Sequence, residues 1–249
     1  MKQYIQTHIE RTGGTYSKDR IINHFGKEKT YVYDPIIDRF QCATELTLRG
    51  MNPTVDQLKR TAGPLLPLIY KLYFAVSALL PKKGISLEDL SQIQWNAIIG
   101  HFTADQFDGV LTDPQIEHGV VIRNPLQRTF SEYCYLRKVG HSPHWREPIA
   151  DARGSFRDFA FDPSRQNWQT KCLGERELSD FQYIGVTSRL DHFLHQLTGQ
   201  SKQGPHVNAA SGPLSQMDFN SEQFMDFHSE DYNLYENALE RVQSDLREI

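Results

Sequence analysis

The chain has little cysteine, and its cysteines follow no recognisable spacing. Cys42, Cys134 and Cys172 lie far apart, with no Cys-x-x-Cys pair of the kind that binds zinc. An odd number of cysteines cannot all pair with one another. We therefore expect three reduced thiols, and we expect neither a disulfide scaffold nor a cysteine-based metal site.

An excess of positive charge is also missing. The 27 Lys and Arg residues stand against 31 Asp and Glu residues, which gives a formal net charge of −4. Proteins that coat nucleic acid need a basic surface, so this balance argues against a nucleic-acid partner. A local basic site for a small anion is compatible with the same charge.

The sequence shows no apolar core of a signal peptide near its start, and we expect a cytoplasmic protein. The most apolar stretch is residues 65–80, LLPLIYKLYFAVSALL, which includes Pro67 and Lys71. It is shorter than the roughly 20 residues of a spanning helix. A buried or interface helix is the favoured interpretation, and peripheral contact with a membrane or a dimer contact is the alternative.

Short apolar segments alternate with helical patterns along the chain. Strands are predicted at 4–9, 29–35, 93–102, 118–125 and 181–188, and helices at 16–25, 125–139, 189–199 and from 229 onward. This alternation is typical of an α/β protein with a parallel sheet flanked by helices on both faces. Residues 36–90 are irregular and rich in glycine and proline. We expect them to form a helical insertion within a single domain, 1–249.

The loop after the first predicted strand, HIERTGGTY, has two glycines in front of a helix. Gly13 and Gly14 let the backbone approach a ligand, and the amides up to Tyr16 can point at an anion. The helix dipole adds about half a positive charge there, and Arg11 adds a full one. The loop lacks the G-x-x-x-x-G-K-[ST] pattern of a nucleotide-binding P-loop. An ordinary strand–helix connection is the alternative interpretation.

A second candidate anion site is VIRNPLQRTFSEY, residues 121–133. Arg123 ends a strand, Asn124 and Pro125 begin a helix, and Ser131 lies about two turns further along it. A guanidinium at a strand end can bind a phosphate through two hydrogen bonds, and the Ser131 hydroxyl can turn to the same phosphate. A surface ion pair and a solvated helix position are the alternatives.

These two motifs together resemble those of sulfotransferases of the membrane-type carbohydrate branch. HIERTGGTY resembles the family's 5′-phosphosulfate loop, H-I-x-K-T-G-G-T-S, and RNPLQRTFS resembles its 3′-phosphate motif, R-[DN]-P-x-x-R-x-x-S. Further matches run in the family's order: GHF at 100–102, NWQT at 167–170, YIGVTSRLD at 183–191, VNAAS at 207–211 and SEDYNLYENAL near the C-terminus. Most of the chain outside 36–90 is covered.

The resemblance implies a P-loop NTPase-like fold and transfer of a sulfuryl group from 3′-phosphoadenosine 5′-phosphosulfate to a hydroxyl of a carbohydrate or glycoconjugate. It implies donor-binding residues in both motifs and in a late loop: Arg11, Thr12, Gly13, Gly14, Thr15, Tyr16, Arg123, Ser131, Asn208 and Ser211. Lys202 or Arg189 can add a further cation. The sulfuryl group carries less charge than a phosphoryl group, so we expect no metal ion.

Two residues carry the catalytic roles in this interpretation. Arg11 stands where the family has lysine and would stabilise charge on the leaving phosphate, although arginine is a very poor proton donor. His101, after a buried strand and in the GHF match, would take the proton of the acceptor hydroxyl. Glu10 is the reserve base, and we expect its side chain to point away from the donor or to pair with an arginine. We expect His8 to be packed behind the site.

Two alternatives stay open from the sequence. One is a nucleotide-dependent kinase of the P-loop type, which the missing lysine–serine pair disfavours. The other is a module that binds the donor but has lost catalysis, which Arg11 in place of lysine would fit.

Overall fold

The computed structural model describes residues 2–34, 39–44, 84–139, 154–200 and 219–247. The apolar run 65–80 and the candidates Lys202, Asn208 and Ser211 lie outside these residues, as does most of the predicted insertion. Within the described ranges, no helix combines the length and the hydropathy needed to cross a bilayer. All three cysteines lie in the described ranges, and each is a free thiol there.

Six strands form one sheet in the order β3-β2-β4-β1-β5-β6. Their bounds are β1 Tyr4–Thr7, β2 Thr30–Asp34, β3 Arg39–Cys42, β4 Ala97–Gly100, β5 Glu117–Ile122 and β6 Tyr183–Val186. Neighbouring strands pair in parallel except β2 and β3, which are antiparallel. The chain crosses over β1 between β4 and β5. The carboxyl edge beside β1 is therefore the switch point at which open α/β sheets bind ligands.

Helices cover both faces of this sheet. Their bounds are α1 Gly14–Phe25, α2 Leu87–Ser91, α3 Pro125–Val139, α4 Phe156–Ala160, α5 Trp168–Leu173, α6 Leu190–Thr198, α7 Ser221–Phe227 and α8 Ser229–Arg247. One face packs against α1 and α6, where Ile21 and Phe193 are fully buried. The other packs against α5 and α8, through Leu173 and Val242. The predicted α/β class, a mostly parallel sheet flanked by helices, is confirmed.

Local chemistry explains where several of these elements begin and end. The Asn124 side chain accepts a hydrogen bond from the backbone N–H of Gln127 at 3.2 Å, which caps α3 as predicted. Gly199 ends α6 in the left-handed conformation, with φ of 68°. All five predicted strand segments are longer than the observed strands by two or more residues, because apolar residues such as Ile9, Trp95 and Phe181 continue into the adjoining loops.

One element differs from the expected helical insertion. Residues 39–42 form the antiparallel edge strand β3, in which Phe40 is buried opposite Tyr33 of β2. A strand of four residues with a single large apolar side chain is too short for its period to be read from sequence. Helical structure is present further along the same segment at α2, which Ser86 and Asp89 cap reciprocally.

Candidate functional site

The loop between β1 and α1 is a tight turn built from two left-handed residues. Arg11 has φ of 68° and Gly13 has φ of 94°. Glycine suits this position, because L side chains rarely adopt a φ of 94° and a β-carbon would lie 2.7 Å from Leu190 Cδ2. The Thr12 hydroxyl donates to the Ile9 carbonyl at 2.8 Å, and the Thr187 hydroxyl donates to the Thr12 carbonyl at 3.2 Å. These bonds hold the loop against the sheet.

The first turn of α1 begins directly after this loop. Gly14, Thr15 and Tyr16 form its first three positions, and the Ser17 N–H donates to the Gly13 carbonyl at 3.1 Å. The first N–H groups of any α-helix have no acceptor within the helix. The turn therefore presents backbone donors and the positive end of the α1 dipole at the carboxyl edge of β1.

The second motif contacts the first one directly. Arg123 Nη1 donates to the Arg11 carbonyl at 2.8 Å, and Arg11 Nε donates to Ser131 Oγ at 3.2 Å. The Arg11 guanidinium also lies over the Tyr135 ring, 4.6 Å from its centroid. Two motifs more than a hundred residues apart are thus brought to one place. The Arg11 side chain is directed towards α3 in this structure.

Two arginines pair with one carboxylate on α3, next to the Arg11–Ser131 contact. Glu132 pairs with Arg128 Nη2 at 3.0 Å and with Arg165 Nη1 at 2.6 Å. Burial lowers the pKa of Arg123 from its ordinary value, and the positive charges of Arg11 and Arg128 lower it further. Burial is also the main cause of the lowered pKa of Arg11.

Several arginine nitrogens in this cluster are buried without a hydrogen-bond acceptor: Arg123 Nε, Arg128 Nε, Arg128 Nη1 and Arg165 Nε. The Arg165 guanidinium is partly compensated by the Phe159 ring, at 4.0 Å from its centroid. Burying a charged donor without an acceptor is costly. An anionic ligand would supply the missing acceptor at Arg123 Nε, so the residues present fit such a group.

Gln169 fixes the backbone of Arg123. Its side-chain oxygen accepts from the Arg123 N–H at 2.9 Å, and its side-chain nitrogen donates to the Arg123 carbonyl at 2.8 Å. Gln169 is completely buried. Helix α5 therefore holds the chain where it leaves β5, and this fixes the backbone position from which the Arg123 side chain extends.

The start of α8 in turn fixes the start of α5. Asp231 accepts from the N–H groups of Gln169, at 3.2 Å, and Thr170, at 2.8 Å. His228 Nδ1 accepts from the Asn167 N–H at 3.3 Å, while its Nε2 lies 2.9 Å from the Ala160 carbonyl. Burial lowers the pKa of His228, which favours the neutral ring that this pair of contacts requires.

His101 lies beside the glycine loop, where β4 ends. Its Nδ1 is 2.8 Å from the His8 carbonyl and 3.5 Å from Glu10 Oε1, and its ring stacks on that of His8 at 4.2 Å. Because a carbonyl oxygen only accepts, Nδ1 carries the proton and Nε2 is the basic nitrogen of the neutral ring. Glu10 Oε2 accepts from Trp168 Nε1 at 2.8 Å. Glu10 thus lies between His101 and Trp168.

The structure therefore brings Arg11, Arg123 and Ser131 into contact and places His101 against the residues just before Arg11. Sequence reasoning gave no role to Gln169, Asp231, His228 or Tyr135. A signal is present for Gln169 and Asp231, because NWQT and SEDYN both carry the resemblance, but nothing in either motif shows that they contact each other. In the described ranges no group of three or more His, Cys, Asp or Glu side chains could hold a metal ion.

The fold and the site define an α/β protein with a cluster of arginines at the switch point of its sheet. No protein-family model and no curated protein matches the chain.

Three solved structures show weak similarity to it. The first is a sulfotransferase from Alicyclobacillus acidocaldarius (TM-score 0.38, 13% identity, 93% of each chain). The second is retinol dehydratase in complex with androsterone and inactive cofactor PAP (TM-score 0.35, 8% identity, 94% of this chain and 65% of that one). The third is a chain of the PezAT toxin-antitoxin system of Streptococcus pneumoniae (TM-score 0.31, 12% identity, 97% and 87%). Scores this low establish neither fold nor function.

Proposed function

We propose that this chain transfers a sulfuryl group from 3′-phosphoadenosine 5′-phosphosulfate to a hydroxyl acceptor. One observation carries the proposal: the glycine loop and the Arg123–Ser131 motif meet through Arg11 at the carboxyl edge of the central strand. Each motif alone is an ordinary anion site. Their contact creates one site for a ligand with two anionic ends.

The donor has that charge distribution. Its 5′-phosphosulfate suits the start of α1 and the loop residues Thr12 to Tyr16, where backbone donors and the helix dipole converge. Its 3′-phosphate suits Arg123 and Ser131, and it would give buried Arg123 Nε the acceptor that this atom lacks. Asn208 and Ser211 are proposed to close over the nucleotide.

The reaction needs one proton acceptor and one stabiliser of negative charge. As the acceptor oxygen bonds to sulfur, the bond from sulfur to the bridging phosphate oxygen breaks, and that oxygen takes the electron pair. His101 Nε2 takes the proton of the acceptor hydroxyl. Arg11 stabilises the charge on the leaving phosphate without donating a proton to it, once its side chain turns from Ser131 towards the loop.

The acceptor is proposed to be a carbohydrate or glycoconjugate. This part rests on the resemblance of both motifs to the carbohydrate branch of the sulfotransferases. Trp168, which is half-buried close to Glu10, offers an aromatic surface of the kind that sugars stack on. A cytoplasmic location and a contact through residues 65–80 are proposed on the sequence alone.

Incubation with donor labelled in the sulfuryl group tests this function. We expect transfer to a member of a panel of sugars and glycoconjugates, or slow transfer to water when no acceptor is added. His101→Ala should lower turnover by about 10²–10⁴-fold, whereas His195→Ala, an exposed histidine on α6, should not. Label that stays entirely in the donor, with every acceptor and with water, would contradict the proposal.

A further inference from the structure

We infer that Glu10 is a positioning residue for His101, and that Trp168 holds the Glu10 carboxylate in place. The chemical consequence rests on the proposed function, in which His101 takes a proton. The arrangement of the three side chains is independent of it.

The two oxygens of Glu10 have separate contacts. Oε2 accepts from the indole N–H of Trp168 at 2.8 Å, and Oε1 lies 3.5 Å from His101 Nδ1. Glu10 comes from the loop after β1, His101 follows β4, and Trp168 begins α5. Three elements that are distant in sequence therefore meet at one carboxylate, and the Glu10 side chain is only 12% exposed.

This carboxylate lies on the side of the ring opposite to the basic nitrogen. The His101 Nδ1–H is directed to the His8 carbonyl, which fixes the tautomer, and Glu10 supplies a negative charge beside it. When Nε2 takes a proton the ring becomes a cation, and a nearby carboxylate favours that charged form. The ionisable groups packed against the ring include His8, which is stacked on it, and Glu10.

Trp168 ties this arrangement to the donor end of the site. The next residue on α5, Gln169, holds both backbone groups of Arg123. One short helix therefore sets the position of the base and that of the phosphate-binding arginine. A displacement of α5 would move both ends of the site together.

A purely structural role for Glu10, as an acceptor for the part-buried indole N–H of Trp168, is the competing explanation. Glu10→Gln separates the positioning role from the structural role, because the amide oxygen can still accept from Trp168 while the negative charge is gone. Trp168→Phe keeps most of the ring and removes the N–H. Glu117→Gln is the matched control, since Glu117 is also a part-buried carboxylate that accepts a side-chain hydrogen bond, from Tyr183, but lies at the opposite edge of the sheet.

Nuclear magnetic resonance of the histidine ring nitrogens, with His101→Gln to assign the signal, measures the effect without any substrate. In Glu10→Gln we expect the pH midpoint of His101 protonation to fall by about one unit. We expect a smaller fall in Trp168→Phe and none in Glu117→Gln. A midpoint in folded Glu10→Gln equal to that of the wild type would overturn the inference.

Two further measurements separate this inference from the proposed function. Glu10→Gln should bind adenosine 3′,5′-bisphosphate as the wild type does, and its turnover should fall about tenfold or more with the donor KM unchanged. If the midpoint shifts but no variant binds the nucleotide, the positioning role holds and the proposed function fails. If the nucleotide binds and the midpoint does not move, the positioning role of Glu10 fails and the proposed function stands.

Discussion

At the scale of single residues, Arg123 is the centre of the site. The Gln169 side chain hydrogen-bonds both backbone groups of Arg123. The Arg123 Nη1 donates to the Arg11 carbonyl, and its Nε is buried without an acceptor. A side chain held this firmly, with a donor unused and its pKa lowered by burial and two neighbouring cations, suits the anionic ligand that we propose. Burial of this guanidinium nitrogen without an acceptor destabilises the ligand-free protein, and a bound phosphate would offset that cost.

Arg123→Ala should weaken the binding of adenosine 3′,5′-bisphosphate by about 2 kcal/mol or more, because a charge-assisted phosphate contact is lost. Titration calorimetry measures the change. Arg176→Ala is the matched control, since Arg176 pairs with Asp108 away from the two motifs. Equal affinities of the wild type and a folded Arg123→Ala protein would remove Arg123 from the binding site.

At the scale of elements, the glycine loop depends on how closely α6 approaches it. Gly13 has a left-handed backbone, and a β-carbon added to it would point at Leu190 at the start of α6. Gly199 has a left-handed backbone and open space, and Gly109 has open space and no such backbone. The three glycines therefore separate steric contact from backbone strain.

Replacement of each of these glycines by alanine should therefore lower the free energy of unfolding by a different amount. Gly13→Ala should lower the free energy of unfolding by about 2–3 kcal/mol, Gly199→Ala by about 1 kcal/mol, and Gly109→Ala by almost nothing. Urea denaturation of the three variants measures the series. A Gly13→Ala protein as stable as Gly109→Ala would mean that the loop is not packed against α6 as described.

Local elements of the fold could be predicted from sequence, and long-range contacts could not. Asn124 and Pro125 mark the start of α3, and Gly199 marks the end of α6, because each acts on its immediate neighbours. The contact between Arg123 and Gln169 spans 46 residues and follows from the packing of α5 on the sheet. The spacing of Arg123 and Ser131 predicted a shared site, but the side-chain bond from Arg11 to Ser131 depends on the tertiary fold.

At the scale of the whole molecule, buried neutral histidines connect stability to pH. Burial, assisted by the charge of Arg176, lowers the pKa of His118 to about 4. An unfolded chain protonates histidine near pH 6.5. Between these values the unfolded state binds a proton that the folded state does not, so the free energy of unfolding falls as the pH falls.

His118→Gln removes this contribution. The wild type should lose up to about 3 kcal/mol more stability than His118→Gln between pH 7 and pH 4, with the loss confined to the window below pH 6.5. Urea denaturation at a series of pH values gives both curves. Curves that run parallel through this window would show that His118 does not stay neutral in the folded protein.

The central claim, that the two motifs bind one ligand, concerns the whole molecule too, because only the assembled sheet brings the motifs together. Titration calorimetry of the wild type with adenosine 3′,5′-bisphosphate, adenosine 5′-monophosphate and ATP with Mg²⁺ tests it most directly. We expect the bisphosphate to bind at least about thirtyfold more tightly than the monophosphate, since only the bisphosphate has the 3′-phosphate that Arg123 and Ser131 would hold. Equal affinity for the bisphosphate and the monophosphate, or tighter binding of ATP with Mg²⁺, would contradict the account.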